Sequence, residues 1–305
     1  HSIHHSLNPP LTQSTTHSIH HSLTPPLTHS EMHDPMTHDT TPTQKILTVA
    51  TLAALAVSIA PAQLAVPNLE GALVVDFDSG FTGVNSGILT GSGIVADPSA
   101  GQLDSDAWRV TGLAAGDTTF GGDFTGASFT RGASTGGVTA GGMHAFDTAA
   151  VGTNWALGIQ PAGNDFTPGS ITLRVRNDTG STVDQWDISY DLFVLNDQNR
   201  INSWNWAWST NDTDYTEVDA YNSPRFQDSP AAWVNVSSPE AIAVSASVDD
   251  GDFFYLRWTS DFVFGSGGRD EFAIDNIAVT AVPEPSALPA IFGAGCLLGL
   301  LKRRV

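Results

Sequence analysis

Apolar and polar residues alternate with a period of two through the middle of this chain. In Ile171–Arg176 (ITLRVR) every second residue is apolar, and between Trp186 and Val194 the residues Trp186, Ile188, Tyr190, Leu192 and Val194 share one face against Asp187, Ser189 and Asp191. Ile242, Val244, Ala246 and Val248 repeat the pattern, and Phe253–Trp258 (FFYLRW) and Phe272–Thr280 (FAIDNIAVT) read as further strands. Successive side chains of a strand point to opposite faces, so this period predicts strands with one face buried. Clusters of Gly, Asn, Asp and Pro separate the runs and supply turn chemistry, which predicts an antiparallel sandwich or barrel. No window of helical length shows a 3.6-residue period outside the two ends of the chain. Gly112–Gly142, rich in Gly, Thr, Ser and Ala with isolated Phe120, Phe124 and Phe129, fits either weak strands with long loops or a flexible insertion.

The two ends follow other patterns. Residues 1–35 contain a tandem His-rich repeat, His1–Thr16 against His17–Met32, identical at 12 of 16 positions. It reads either as a metal-binding tract or, the preferred reading, as translated sequence upstream of a start at Met36 or Met32, and it stays outside the fold argument. Residues 36–62 form a signal peptide: Lys45 precedes the apolar run Ile46–Ala60, and Ala60 and Ala62 place small residues at the expected cleavage positions. Fifteen helical residues reach only about 22 Å, too short for a bilayer anchor. Residues 282–305 run from Val282, Pro283, Glu284, Pro285 and Ser286 through a span without charge, Ala287–Leu301, to the basic cluster Lys302, Arg303 and Arg304. That cluster would remain cytoplasmic, leaving the domain outside.

Charge narrows the choice of partners. Between Gln63 and Pro283 stand 8 Arg and 28 Asp and Glu, so the whole net charge of −20 sits on the central domain. Such a surface repels nucleic acid and favours divalent cations or neutral partners, with solubility alone as the simpler reading. The single cysteine, Cys296, lies in the C-terminal apolar run, so the domain holds itself together without a disulfide. Its only histidine is His144, expected in a surface or turn position, and it has no lysine; nucleophilic and zinc chemistry are hard to assemble from that set. The four Glu (Glu70, Glu217, Glu240 and Glu271) include no evident glycosidase pair, so a carbohydrate-active hydrolase is the weakest reading and the chain is expected not to be an enzyme.

Two constellations remain. Asp76 and Asp78 flank Phe77 near the first strand and Asp275 lies in the last, and the ends of those strands could bring all three to one structural Ca²⁺. Asp249, Asp250 and Asp252 form a second acidic loop. Turn aspartates that hydrogen-bond their own backbone are the competing reading of both. Trp204, Trp206 and Trp208 share one face of SWNWAWS, either as a platform for stacking sugar rings or, the favoured reading, as a core-facing row.

The tail, with its Pro-Glu-Pro element, apolar span and basic end, resembles the PEP-CTERM sorting signal. That resemblance implies an exosortase partner in the inner membrane of a Gram-negative cell. It further implies transient anchoring, processing near the Pro-Glu-Pro element, and release to the cell surface or extracellular matrix. FAIDNIAVT resembles the closing strand of extracellular jelly-roll modules, in which an acidic residue can bind structural calcium. These readings converge on a single antiparallel β-sandwich, jelly-roll-like, over residues 63–281. The expected function is a non-enzymatic structural or adhesive component of the surface or matrix. The alternative is a calcium-dependent carbohydrate-binding module whose partner is extracellular polysaccharide.

Overall fold

The structure, a computed structural model, describes residues 64–69, 71–78, 87–219, 231–236 and 240–283. The His-rich repeat, the leader with Ala60 and Ala62, and the tail from Glu284 and Pro285 to Lys302, Arg303 and Arg304 lie outside the described residues, and so do the expectations placed on them. Among the described residues no helix is long and apolar enough to cross a membrane.

What the described residues form is all β. The strands run β1 (Ala65–Val66), β2 (Ala72–Val75), β3 (Ile94–Val95), β4 (Leu103–Asp104), β5 (Trp108–Thr111), β6 (Ala133–Ser134), β7 (Gly142–Asp147) and β8 (Trp155–Gln160). They continue with β9 (Gly169–Asn177), β10 (Val183–Leu195), β11 (Arg200–Ser209), β12 (Thr216–Glu217), β13 (Val234–Asn235), β14 (Ile242–Val248), β15 (Phe253–Gly265) and β16 (Glu271–Val282). One sheet has the order β1-β9-β15-β11-β12 with β5 also on β9; the other has the order β13-β10-β16-β8-β7-β6, with β14 on β10 and β2 on β16. The five alternating runs of the sequence are β9, β10, β14, β15 and β16. The long ladders are antiparallel, as the alternation predicts, whereas the two-residue strands β1, β4 and β6 pair in parallel with β9, β3 and β7.

The two large sheets pack face to face through aromatic pairs. Trp186 of β10 stacks on Phe254 of β15 at 5.0 Å, Trp204 of β11 stacks on Phe272 of β16 at 5.6 Å, and Tyr190 meets Trp258 edge-on at 5.4 Å. All five residues of the predicted β10 face are buried, as are Phe254, Leu256 and Trp258 of β15. Each such ring removes 150 Å² or more of apolar surface from water, so these pairs dominate the stability of the sandwich.

Strand β16 departs from simple alternation. Phe272 and Ile274 face the core, and then the phase slips so that Ile277, Val279 and Ala281 face it instead. The ladder with β10 shows why: Ser189 pairs with Ala278 but Asp191 pairs with Asp275, so the single residue Tyr190 lies opposite both Asn276 and Ile277. This is a β-bulge, with Asn276 in the left-handed region at φ 50°. The other face of the sheet is covered at this end too, by a small cluster in which Phe146 meets Trp233 at 5.0 Å. The segment from Gly112 to Gly142 is packed rather than loose: Phe129 is buried, and backbone bonds tie Phe124 to Ile94 and Gly132 to Gly91.

Candidate cation site

The bulge lies at a gap in the sheet. One edge of β16 is paired along its length by β10, whereas its other edge is shared: β8 pairs with Phe272–Ile274 and β2 with Ile277–Thr280. Asp275 and Asn276 fall between these two partners. There the chain leaving β2 contributes Asp76, Phe77 and Asp78, and the chain entering β8 contributes Asn154 and Trp155. The three carboxylates of Asp76, Asp78 and Asp275 each offer an oxygen within 4.8 Å of the others. The chain leaving β2 and the bulge of β16 thus bring together acids that lie far apart in the sequence.

Hydrogen bonds hold this arrangement in place. Phe77 N–H donates to Asp275 Oδ1 at 3.2 Å, Asp78 N–H to Asp76 Oδ1 at 2.8 Å, and Trp155 N–H to Asp78 Oδ1 at 2.6 Å. Among the described residues Asp275 Oδ2 receives long bonds, 3.4 Å from the Asn154 amide and 3.3 Å from the Asn276 amide. The Asn276 amide also bridges to Asp191 at 2.8 Å. Asp147 accepts from Asn154 N–H at 2.9 Å and so fixes the turn that carries Asn154 to the site.

Asp275 has no exposed surface. Burial pushes its pKa up to about 7; the N–H groups of Asn276 and Phe77 work against that rise, and the charges of Asp76 and Asp78 add to it. A hard cation would reverse the balance, because its charge favours the ionised carboxylate. Oxygens bound to one Ca²⁺ lie 2.3–2.6 Å from it, so they are at most about 5 Å apart, a span these three carboxylates satisfy. The oxygen-only donor set suits calcium rather than zinc or copper. The second acidic loop behaves differently: Asp249 and Asp250 accept hydrogen bonds from Thr182 and Gly180 and act as turn residues.

The other candidates fall elsewhere. Trp204 and Trp206 are buried between the sheets and Trp208 is partly buried against the same core, so the row offers no stacking platform to a sugar. Its opposite face carries small and polar residues, so the indoles are the strand's apolar side. His144 is buried on β7, correcting the expectation of a surface or turn residue. Its ring stacks on Phe146 at 4.9 Å, its Nε2 lies 3.1 Å from Ala140 O, and burial lowers its pKa. Among the glutamates, Glu271 is buried and accepts the N–H groups of Gly137 and Val138, an arrangement the sequence reading did not foresee.

No family model matches this chain, and no characterised protein matches its sequence. Solved structures similar to it include carbohydrate-binding modules. One is a CBM61 module in complex with β-1,4-galactotriose, at 9% identity and a TM-score of 0.25, covering 44% of this chain and 75% of that one. Another is the CBM22-1–GH10 part of a Clostridium thermocellum endo-1,4-β-D-xylanase complexed with xylohexaose, at 10% identity and a TM-score of 0.25. That match covers 61% of this chain and 28% of the xylanase chain. At such scores the likeness decides neither topology nor ligand, and the sandwich assignment rests on the strand pairing and the aromatic interface described above.

Proposed function

We propose that this chain is a non-enzymatic component of the cell surface or extracellular matrix, built on a jelly-roll-like sandwich locked by a structural calcium ion. Its leader would direct export, and an exosortase would sort it through the C-terminal signal. The observation that carries the calcium reading is the convergence of Asp76, Asp78 and Asp275 where β2 and β8 meet on β16. Without a cation, a fully buried carboxylate beside two others must hold a proton or an uncompensated charge. A cation there ties β2, β16 and the entry to β8 into one unit. The non-enzymatic reading rests on the poverty of reactive groups: the domain has no lysine or cysteine, and its one histidine is buried.

A second reading is a calcium-dependent carbohydrate-binding module whose partner is extracellular polysaccharide. The observation favouring it is an aromatic surface other than the tryptophan row: Phe262 and Phe264, at the far end of β15, are 41% and 59% exposed.

Thermal melts of the chain after chelation, with calcium or magnesium restored at equal ionic strength, test the calcium site. A ligand present at one hundred times its dissociation constant and bound only to the native state adds about 2.7 kcal/mol. For a domain of this size that raises the melting temperature by roughly 5–10 °C. Magnesium, which resists dehydration and demands a tighter octahedron, should give less. Asp275→Asn should remove the calcium-specific shift, and the exposed Asp97→Asn should keep it. Equal small shifts with the two ions would mean that the three carboxylates form no calcium site.

A further inference from the structure

A cavity of about 180 Å³ opens at the end of the sandwich where β11 begins and the β15–β16 turn closes, lined by Gln160, Pro161, Gln198, Arg200, Gly268 and Arg269 among others. It stands out for its charge. In a domain of −20, two arginines are held side by side here, because Arg200 and Arg269 form a backbone bridge and Arg200 N–H donates to Gly268 O at 3.1 Å. The ion pairs of the described residues use Arg109, Arg174 and Arg176; neither Arg200 nor Arg269 has a carboxylate within ion-pair distance among the described residues. Arg269 is nearly buried and, among the described residues, hydrogen-bonds through Nη1 to Ala162 O and Thr167 Oγ1. Arg200 Nε is buried without a hydrogen-bond partner.

An unpartnered acceptor sits beside these donors. Gln160 is 2% exposed, and its Nε2 donates to Pro161 O at 2.8 Å and Arg269 O at 3.1 Å, which fixes the amide while leaving its buried Oε1 without a donor. Leaving such an atom unmet is costly, so the cavity calls for a ligand or solvent that both accepts from guanidinium and donates to Gln160. A carboxylate with a neighbouring hydroxyl does both. The apolar part of the site is adjacent: the Arg200 guanidinium lies 4.8 Å over the ring of Phe262, and Phe264, the residue after next on β15, is 59% exposed. The cavity is smaller than the roughly 300 Å³ of a site that encloses a whole drug-sized ligand, so it takes one charged group while the rest of the ligand lies outside.

We infer that this cavity binds the carboxylate of a uronic-acid residue in an anionic polysaccharide, with Arg200 and Arg269 holding the carboxylate, Gln160 the adjacent hydroxyl, and Phe262 and Phe264 the flanking sugar. This rests on the carbohydrate-binding reading and gives it a ligand class. The arginines supply the donors that the remaining, acidic surface lacks. Asp197, Asp261 and Asp270 lie in the same region, and their field selects against highly charged anions while the fork of guanidinium donors accepts a single carboxylate.

The test is calorimetric titration of the full chain, with calcium held constant, using trigalacturonate, the same trimer with its carboxylates reduced to alcohols, and inorganic sulfate. Trigalacturonate should bind at least tenfold more tightly than the reduced trimer, and sulfate should not compete at equal concentration. Arg200→Ala should weaken trigalacturonate tenfold or more and leave the reduced trimer unchanged, and the exposed Phe264→Ser should weaken both sugars severalfold. Equal affinity for the two trimers, measured on the unaltered chain, would overturn the inference even if Arg200→Ala failed to fold. Binding of both trimers that is indifferent to Arg200→Ala would leave the carbohydrate reading standing and remove this cavity from it. No binding of either sugar would remove both, and full competition by sulfate would show a simple anion site instead.

Discussion

Replacing Glu271 by glutamine should change the protein's stability more favourably at pH 8 than at pH 4. Glu271 is 1% exposed, and burial pushes its pKa up to about 7, with Asp197 and Asp270 adding to the rise and the N–H groups of Gly137 and Val138 opposing it. In the unfolded chain the same group ionises near 4.5. Between those two values the native state holds a proton that the unfolded state has released, so stability falls as pH rises from about 4.5 to 7 and is flat above. The full excursion is about 3 kcal/mol, at about 1.4 kcal/mol for each pH unit between the two values. Glutamine keeps one acceptor, whose oxygen can take the Val138 N–H that lies 2.6 Å from Glu271 Oε1, but its amide nitrogen cannot accept from Gly137 N–H. The lost bond is a pH-independent cost that cancels when the two pH values are compared. Urea titrations of both proteins at pH 4 and pH 8 isolate this group, because other titrating acids contribute equally to each protein and cancel in the difference. Between pH 4 and pH 8 the variant should gain up to about 3 kcal/mol relative to the parent protein, or roughly 10 °C in melting temperature for a domain of this size. A stability difference that does not change between pH 4 and pH 8 would refute the argument, since it would mean that Glu271 titrates alike in both states.

Two further outcomes follow from the placement of the remaining residues. Trp206→Ala should cost about 3–5 kcal/mol of folding stability through the cavity it leaves between the sheets, with sugar binding intact wherever the variant is folded; a stable variant that has lost glycan affinity would restore the stacking platform. Replacing Pro283, Glu284 and Pro285 with alanine should leave membrane insertion intact and block processing, so that uncleaved protein accumulates in the inner membrane; normal release of the variant would show that the element is only a spacer.

How much of this fold was legible depended on whether one face of a strand is wet. Strands β10 and β14 have a buried and a more open face for most of their length, and β9 has them only from Leu173 on; there the alternation predicts both position and orientation. Strand β7 is covered on both faces, by the opposite sheet and by the cluster around Trp233, so Gly142–Asp147 shows no period of two and reads as part of a Gly-rich stretch. The same coverage buries His144, whose neighbours in sequence suggest a turn. Asp212 lies among turn residues, yet Arg109 binds it through two nitrogens at 2.5 and 2.7 Å across 103 residues of sequence, a contact that no local pattern could announce. The arginine cavity was hidden for a related reason: Gln160, Arg200 and Arg269 come from β8, β11 and the turn before β16, and only the packing of the sheets brings them to one place.

The bulge in β16, by contrast, is written in the sequence itself. In FAIDNIAVT the apolar phase runs through Phe272 and Ile274, and then resumes at Ile277 and Val279, one residue late. A strand cannot keep one face toward a core through such a slip unless it carries an extra residue, so the slip alone locates a bulge at Asp275-Asn276. That extra residue turns Asp275 into the gap between β8 and β2, where an unbroken ladder would have left no room for a carboxylate. The site therefore depends on an irregularity rather than on the acidic composition of the domain. Asp249 and Asp250 show the contrast: also a pair of neighbouring aspartates, they satisfy backbone and hydroxyl donors locally, and among the described residues they belong to no cluster of three carboxylates. Strand β16 thus holds a buried acid at each end of one short stretch. Glu271 ties down the loop that borders the arginine cavity, and Asp275 ties the end of β2 to β16. With Asp104, Asp165 and Asp270 they are among the acids that the fold removes from water, and burial pushes both up to about 7, which makes one a proton-holding clamp and the other a candidate cation ligand.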